Sequence, residues 1–190
     1  MKIIGELPIR REGESFMIHV TSEIKPLKKV LLHRPGKELL NLTPDTLERL
    51  LFDDIPYLPD AIKEHDEFAS ILRDQGIEVV YLEDLMAEVL EISDDIKAKF
   101  LRQFIYEAGI RTPKYKNLVF EYLYEMQDMK ELVLKTMEGI QIGELDRAKR
   151  EIEKSLVDLV SEESKFIADP MPNLYFTRDP FASIGHGIAL

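Results

Sequence analysis

Lys28–Gly36, KKVLLHRPG, reads as a buried strand at Val30–Leu32 that Pro35-Gly36 stops. Farther on, Pro59-Asp60 opens a helix in which His65, Phe68, Ala69 and Leu72 share one face at i, i+3, i+4 and i+7. Gly76 ends that helix, and Ile77–Leu82, IEVVYL, is a β-branched strand. Strand, helix and strand in this order predict an α/β unit with the helix covering a sheet.

After Leu82 the periodicity changes. Ser93 can cap a helix whose Ile96, Phe100, Leu101, Phe104, Ile105 and Ala108 lie on one face before Gly109 ends it. NLVFEYLYEM places Leu118, Val119, Tyr122, Leu123 and Met126 at helical spacing, and GELDRAKREIEKSLVDLV adds Leu145, Ala148, Ile152, Leu156 and Leu159. Strand signals are nearly absent from Glu83 to Ser164, so that region is expected to be a helical bundle inserted into an α/β domain. Strand character returns at Ile167 and at Leu174–Phe176, with Pro170 and Pro172 shaping the loop between them. FASIG alternates Phe181, Ser183 and Gly185 against Ala182 and Ile184.

The composition narrows the classes. Hydrophobic residues make up 45% of the 190, enough for a real core, and the net charge of -11 opposes binding to a phosphate backbone. A cationic small molecule remains compatible with that charge. With no cysteine, the chain holds neither a disulfide, nor a thiolate metal site, nor a thiol nucleophile. Glu6 interrupts the early apolar residues before a signal-peptide core can form, and no run reaches the ~18 apolar residues of a membrane span. A soluble cytoplasmic protein is expected.

Asp179 is the first candidate for chemistry. It follows Arg178, precedes Pro180 and lies between Phe176 and Phe181, so its carboxylate either pairs with Arg178 to tie a turn or is reserved for a cationic ligand. A carboxylate matches a guanidinium through two parallel hydrogen bonds, Phe176 could cover the same cation, and Asn173 could orient it. His186, between two glycines, is read as a turn histidine, His65 as a satisfied core histidine, and His33 is ambiguous. Asp53 and Asp54 point to opposite sides of an extended chain, which favours a turn or cap over a shared ion. No phosphate-cradling glycine loop and no nucleophile elbow occurs.

MPNLYFTRDPFASIGHG (Met171–Gly187), NLTPDTLERLLFDDIPY and EHDEFASILRDQGIEVVYLEDL together closely resemble the arginine deiminases of the guanidino-modifying superfamily. The resemblance implies a five-bladed, pseudo-fivefold α/β propeller of ββαβ-type units with an inserted α-helical bundle domain. Residues 1–82 would form the first part of the propeller, 83–164 the insertion, and 165–190 the return to the propeller. It also implies hydrolysis of L-arginine to L-citrulline and ammonia through a covalent cysteine amidino intermediate, with no cofactor and no metal. By the same resemblance Asp179 is the guanidinium-binding carboxylate, Asn173 and Phe176 contact substrate, and Leu42 belongs to an early loop that closes over bound arginine. Arg178 is expected to be structural.

The family's cysteine, its acid–base histidine and its second carboxylate fall beyond Leu190. The chain is therefore expected to be the N-terminal portion of a longer enzyme, inactive alone and prone to self-association or homo-oligomerisation through exposed propeller edges. Two other readings stay open: hydrolysis of another guanidine, such as agmatine or a methylarginine, and a non-catalytic binding or assembly module.

Overall fold

A computed structural model describes residues 20–22, 24–148, 165–177, 182–185 and 187–189. Strand β1 (Lys29–Leu32) pairs in parallel with β2 (Glu78–Tyr81), with Val30 opposite Val79 and Leu31 opposite Val80. The crossover between them carries α1 (Pro44–Leu50) and α2 (Leu58–Asp74). Parallel strands require such a connection, and the α/β unit read from the sequence is formed. A Lys29–Glu78 ion pair at 2.8 Å closes the first rung.

On α2 the expected apolar face is only partly used. Ala69 is fully buried and His65 and Leu72 are half-buried, but Phe68 is 51% exposed. The two-stranded sheet beneath is too narrow to cover a seventeen-residue helix, so one flank of α2 meets solvent. Phe68 sits on α2 at the expected helical spacing, on the flank that meets solvent.

β2 runs directly into α3 (Leu82–Leu90), followed by α4 (Asp94–Glu107), α5 (Pro113–Tyr124), α6 (Met129–Glu138) and α7 (Ile142–Ala148). Ser93 caps α4 as expected, its hydroxyl accepting from the Ile96 N–H at 3.3 Å. At the far end of α5, Lys97 reaches across from α4 and donates to the Tyr124 and Met126 carbonyls at 2.8 and 2.7 Å. The Tyr124 carbonyl is an orphan acceptor that the helix itself leaves unbonded, and that of Met126 lies just beyond the helix end. The core joins Leu101, Phe104 and Ile105 of α4 to Val119 and Leu123 of α5, Leu132 and Val133 of α6, and Leu145 of α7. The expected helical residues Ile152, Leu156 and Leu159 lie outside the described residues.

Ile140–Gln141 departs from the purely helical reading of its region, forming a short strand, β3, antiparallel to β4 (Phe166–Ala168). Ala168 joins the helical core, and Ile167, Met171 and Leu174 pack against it. Gly139 makes this return possible. Its φ is +88°, and a Cβ there would stand 2.8 Å from the Pro170 nitrogen and 3.0 Å from the Ala168 carbonyl.

Leu174–Phe176 does not continue as the expected strand. Pro172–Tyr175 forms a 3-10 turn, with the Leu174 N–H donating to the Met171 carbonyl at 3.2 Å and the Phe176 N–H to that of Asn173 at 3.1 Å. The fixed φ of Pro172 suits the first position of a helical turn, where its missing N–H costs nothing. A hairpin, β5 (Ala182–Ile184) and β6 (Gly187–Ala189), follows, and Val20 bridges Gly185 through backbone hydrogen bonds of 2.8 and 2.7 Å. Among the described residues no helix is long and apolar enough to cross a membrane.

Candidate functional site

Two segments far apart in sequence meet at the candidate site: the early stretch from His33 to Phe52 and the return stretch from Asp169 to Thr177. The early stretch leaves β1, turns at Pro35-Gly36, makes a 3-10 turn at Lys37–Leu39 and enters α1. Thr43 and Pro44 set the start of α1, the Thr43 N–H donating to Thr46 Oγ1 at 3.0 Å. Leu51 ends α1 in the left-handed region at φ +62°, an uncommon conformation for a non-glycine residue.

The return stretch clamps that helix. Asn173 Nδ2 donates to the Leu50 carbonyl at 2.8 Å, capping the C-terminal end of α1. Arg49 forms a two-pronged ion pair with Asp169, whose second bond is 3.0 Å, and the Phe52 and Tyr175 rings lie 6.5 Å apart. Hydrogen bonding to Asp169 raises the Arg49 pKa. Thr177 Oγ1 donates to the Leu31 carbonyl at 2.9 Å, which brings the motif back beside β1.

Both segments hang from the last turn of α6. Asn41 Nδ2 donates to the Glu138 carbonyl at 2.7 Å, and the Met171 N–H donates to the Met137 carbonyl at 2.8 Å. The C-terminal carbonyls of a helix lack intrahelical donors, and here one is given to each half of the site.

Of the residues singled out from the sequence, Leu42 is buried at 4% exposure, next to Asn41. Phe176 is 45% exposed, with its ring centroid 3.9 Å from that of Tyr175. Asn173 stands between them in chain order with its amide nitrogen engaged by Leu50. Asp179, Arg178 and His186 lie outside the described residues. Asp54 makes a turn, its Oδ1 accepting from the Ile55 N–H at 2.8 Å, and both Asp53 and Asp54 are exposed. Among the described residues no group of three His, Asp or Glu side chains is placed to hold a metal ion.

His65 differs from its expected satisfied state. Its Nε2 is buried with no hydrogen-bond partner, its ring lies 6.0 Å from Tyr81, and burial pushes its pKa down. The isolated pattern of one helix face could not show which neighbours would lack an acceptor. Next to it, Arg34 forms a paired hydrogen bond to Asp66 at 2.8 and 2.7 Å, and this holds the Asp66 carboxyl below its usual range.

His33, ambiguous in the sequence, is fully buried between two carboxylates. Its Nδ1 lies 2.8 Å from Glu83 Oε2 and its Nε2 3.3 Å from Glu38 Oε1. Burial alone would lower its pKa, but hydrogen bonds to Glu38 and Glu83 outweigh that and raise it to about 9. Burial likewise pushes Glu83 up, and the His33 hydrogen bond and charge bring it net below the ordinary carboxylate value. Glu38 and Glu83 were not among the candidate residues. Their only sequence signals are an acid just past a Pro-Gly turn and an acid in the first turn of a helix, where the dipole favours one.

Fold and site together define an α/β protein in which a helical bundle carries two clamped segments of one site. Residues 48–190 match the sequence profile of the family described as arginine deiminase, and the chain belongs to that family. It is 55% identical over 174 residues to an arginine deiminase of Treponema denticola, covering 92% of this chain and 42% of that protein. Arginine deiminases of Clostridium perfringens and Streptococcus agalactiae are 56% and 57% identical over 173 residues, covering 91% of this chain and 41% and 42% of theirs. The chain thus spans about two-fifths of the length of these curated relatives.

Proposed function

We propose that this chain is the portion of an arginine deiminase that forms the substrate-gripping side of its site. Asp179 binds the guanidinium through paired hydrogen bonds, Phe176 offers an exposed aromatic face to the same cation, and Leu42 belongs to the loop that covers it. Because the Asn173 amide nitrogen already caps α1, its carbonyl oxygen is the group left for substrate orientation. The observation that carries the reading is the clamp itself. The early loop and the motif turn, both predicted to meet substrate, are tied to one another and to the end of α6.

The rest of the enzyme supplies the nucleophile. A cysteine thiolate attacks the guanidinium carbon, ammonia leaves after proton transfer from a histidine, and water resolves the amidino intermediate to citrulline, regenerating the thiolate. In the same reading residues 1–82 and 165–190 belong to a five-bladed propeller and 83–164 to its helical insertion. The parallel β1–β2 pair and the approach of Thr177 to Leu31 suit such a unit.

The test is citrulline formation by the full-length enzyme and by the 190-residue chain alone. The full-length enzyme is expected to convert L-arginine, and the isolated chain to make no citrulline. Asp179→Asn should lower kcat/KM by about a hundredfold or more, since charged hydrogen bonds to the guanidinium are lost. Near-parental activity in that variant, or turnover by the isolated chain, refutes the proposal.

A further inference from the structure

The return stretch is anchored on three elements. The Met171 N–H donates to the Met137 carbonyl of α6, Asn173 Nδ2 to the Leu50 carbonyl of α1, and Thr177 Oγ1 to the Leu31 carbonyl of β1, at 2.8, 2.8 and 2.9 Å. The first two hold the 3-10 turn at Pro172–Tyr175. Thr177 comes after that turn, half-buried, next to the exposed Phe176. Its acceptor is the unusual part. The Glu78 N–H takes the Lys28 carbonyl at 2.9 Å, and carbonyls alternate in direction along a strand. Those of Val30 and Leu32 therefore turn toward β2, and that of Leu31 turns to the opposite edge of β1. Among the described residues no strand pairs with that edge. An edge carbonyl is ordinarily met by a ladder N–H or by water, and here a side-chain hydroxyl meets it.

Asp179 follows Thr177 by two residues, so covalent geometry alone keeps its Cα within about 7 Å of the tethered one. We infer that Thr177 is a positioning residue: hung on the free-edge carbonyl of Leu31, it fixes the point beside β1 from which Asp179 meets the guanidinium. The guanidinium is that of the proposed function, on which this inference rests. A carboxylate displaced by about 1 Å holds its substrate off the line of attack, which can cost on the order of a hundredfold in rate. One hydrogen bond two residues away is therefore enough to be felt in the chemistry.

Thr177→Val and Thr177→Ser, made in the full-length enzyme and assayed well below the melting temperature, test the inference with two readouts. Thr177→Val keeps the branched shape and removes the donor, and is expected to lower kcat/KM for arginine by about thirtyfold, mostly in kcat. Amide hydrogen exchange should quicken at residues 174–177 in that variant while α4–α6 keep their protection. Thr177→Ser keeps the hydroxyl and should stay within about threefold of the parent. Should Thr177→Val not fold, Thr177→Ala against Thr177→Ser makes the same comparison with a smaller side chain. A valine or alanine variant within about threefold of the parent overturns the inference. So does a serine variant as poor as the valine one, which assigns the effect to packing of the methyl group. A rise in exchange that extends across α4–α6 as activity falls overturns it too, as a purely structural role. If the unmodified enzyme makes no citrulline from arginine, the functional reading fails, while exchange at residues 174–177 still decides whether the hydroxyl holds the motif to β1.

Discussion

His33 makes stability depend on pH in a definite direction. A group whose folded pKa is raised from 6.5 to about 9 contributes stability that is fully present below 6.5 and lost as pH rises through about 9. Glu83, held below its ordinary 4.5, contributes stability that is present above 4.5 and lost as pH falls. The triad of His33, Glu38 and Glu83 is therefore fully effective between about 4.5 and 6.5, with Arg34, Lys130 and His65 as the neighbouring ionisable groups. Urea denaturation of the full-length protein should show unfolding free energy declining from pH 6.5 to 9, and Glu83→Gln should flatten that decline. Gly139 is the second sensitive position. Gly139→Ala should destabilise by about 1–3 kcal/mol in the same assay, since φ is positive and backbone atoms crowd the missing Cβ. Neither position was legible beforehand. His33 meets acids five and fifty residues away, and only folding brings them within hydrogen-bonding distance.

At the scale of elements the sequence was a better guide where local chemistry decides. The strand before Pro35-Gly36, the crossover helix ended at Gly76 and the Ser93 cap all follow from propensity and termination signals over a few residues. The turn at Pro172–Tyr175 escaped because its apolar residues, Leu174 to Phe176, have strand character while Pro172 and the Asn173 bond to Leu50 select a helical turn. Asn173 shows the same limit: its capping of α1 involves a residue 123 positions away. Lys97 offers a test at this scale. Lys97→Met keeps the buried stem but strips two part-buried carbonyls at and just beyond the end of α5 of their donor, and should cost about 1–3 kcal/mol in chemical denaturation. A change under ~0.5 kcal/mol would mean that water replaces the ammonium there.

For the whole molecule, the surface is the informative part. Ile71, Phe68, Tyr57 and Leu51 are 62%, 51%, 69% and 84% exposed, and β1–β2 is a parallel pair with no third strand among the described residues. Parallel sheets are ordinarily covered on both faces, and apolar surface of this kind drives association. Light scattering of the isolated 190-residue chain should report species larger than a monomer, and Phe68→Glu with Ile71→Glu should reduce them. A monodisperse monomer with a cooperative melt would contradict that expectation. The clamp between the early and return stretches also sets an order of assembly. Its bonds join residues 120, 123 and 146 positions apart, whereas the helices from α3 to α7 lie within one continuous stretch. Loop-closure entropy favours the nearby contacts, so on a growing chain the bundle can condense while β1 and α1 wait for Asp169, Asn173 and Thr177 to emerge. The slow step of folding is then the closing of this clamp, and a chain halted before Asp169 would hold its bundle with an open clasp.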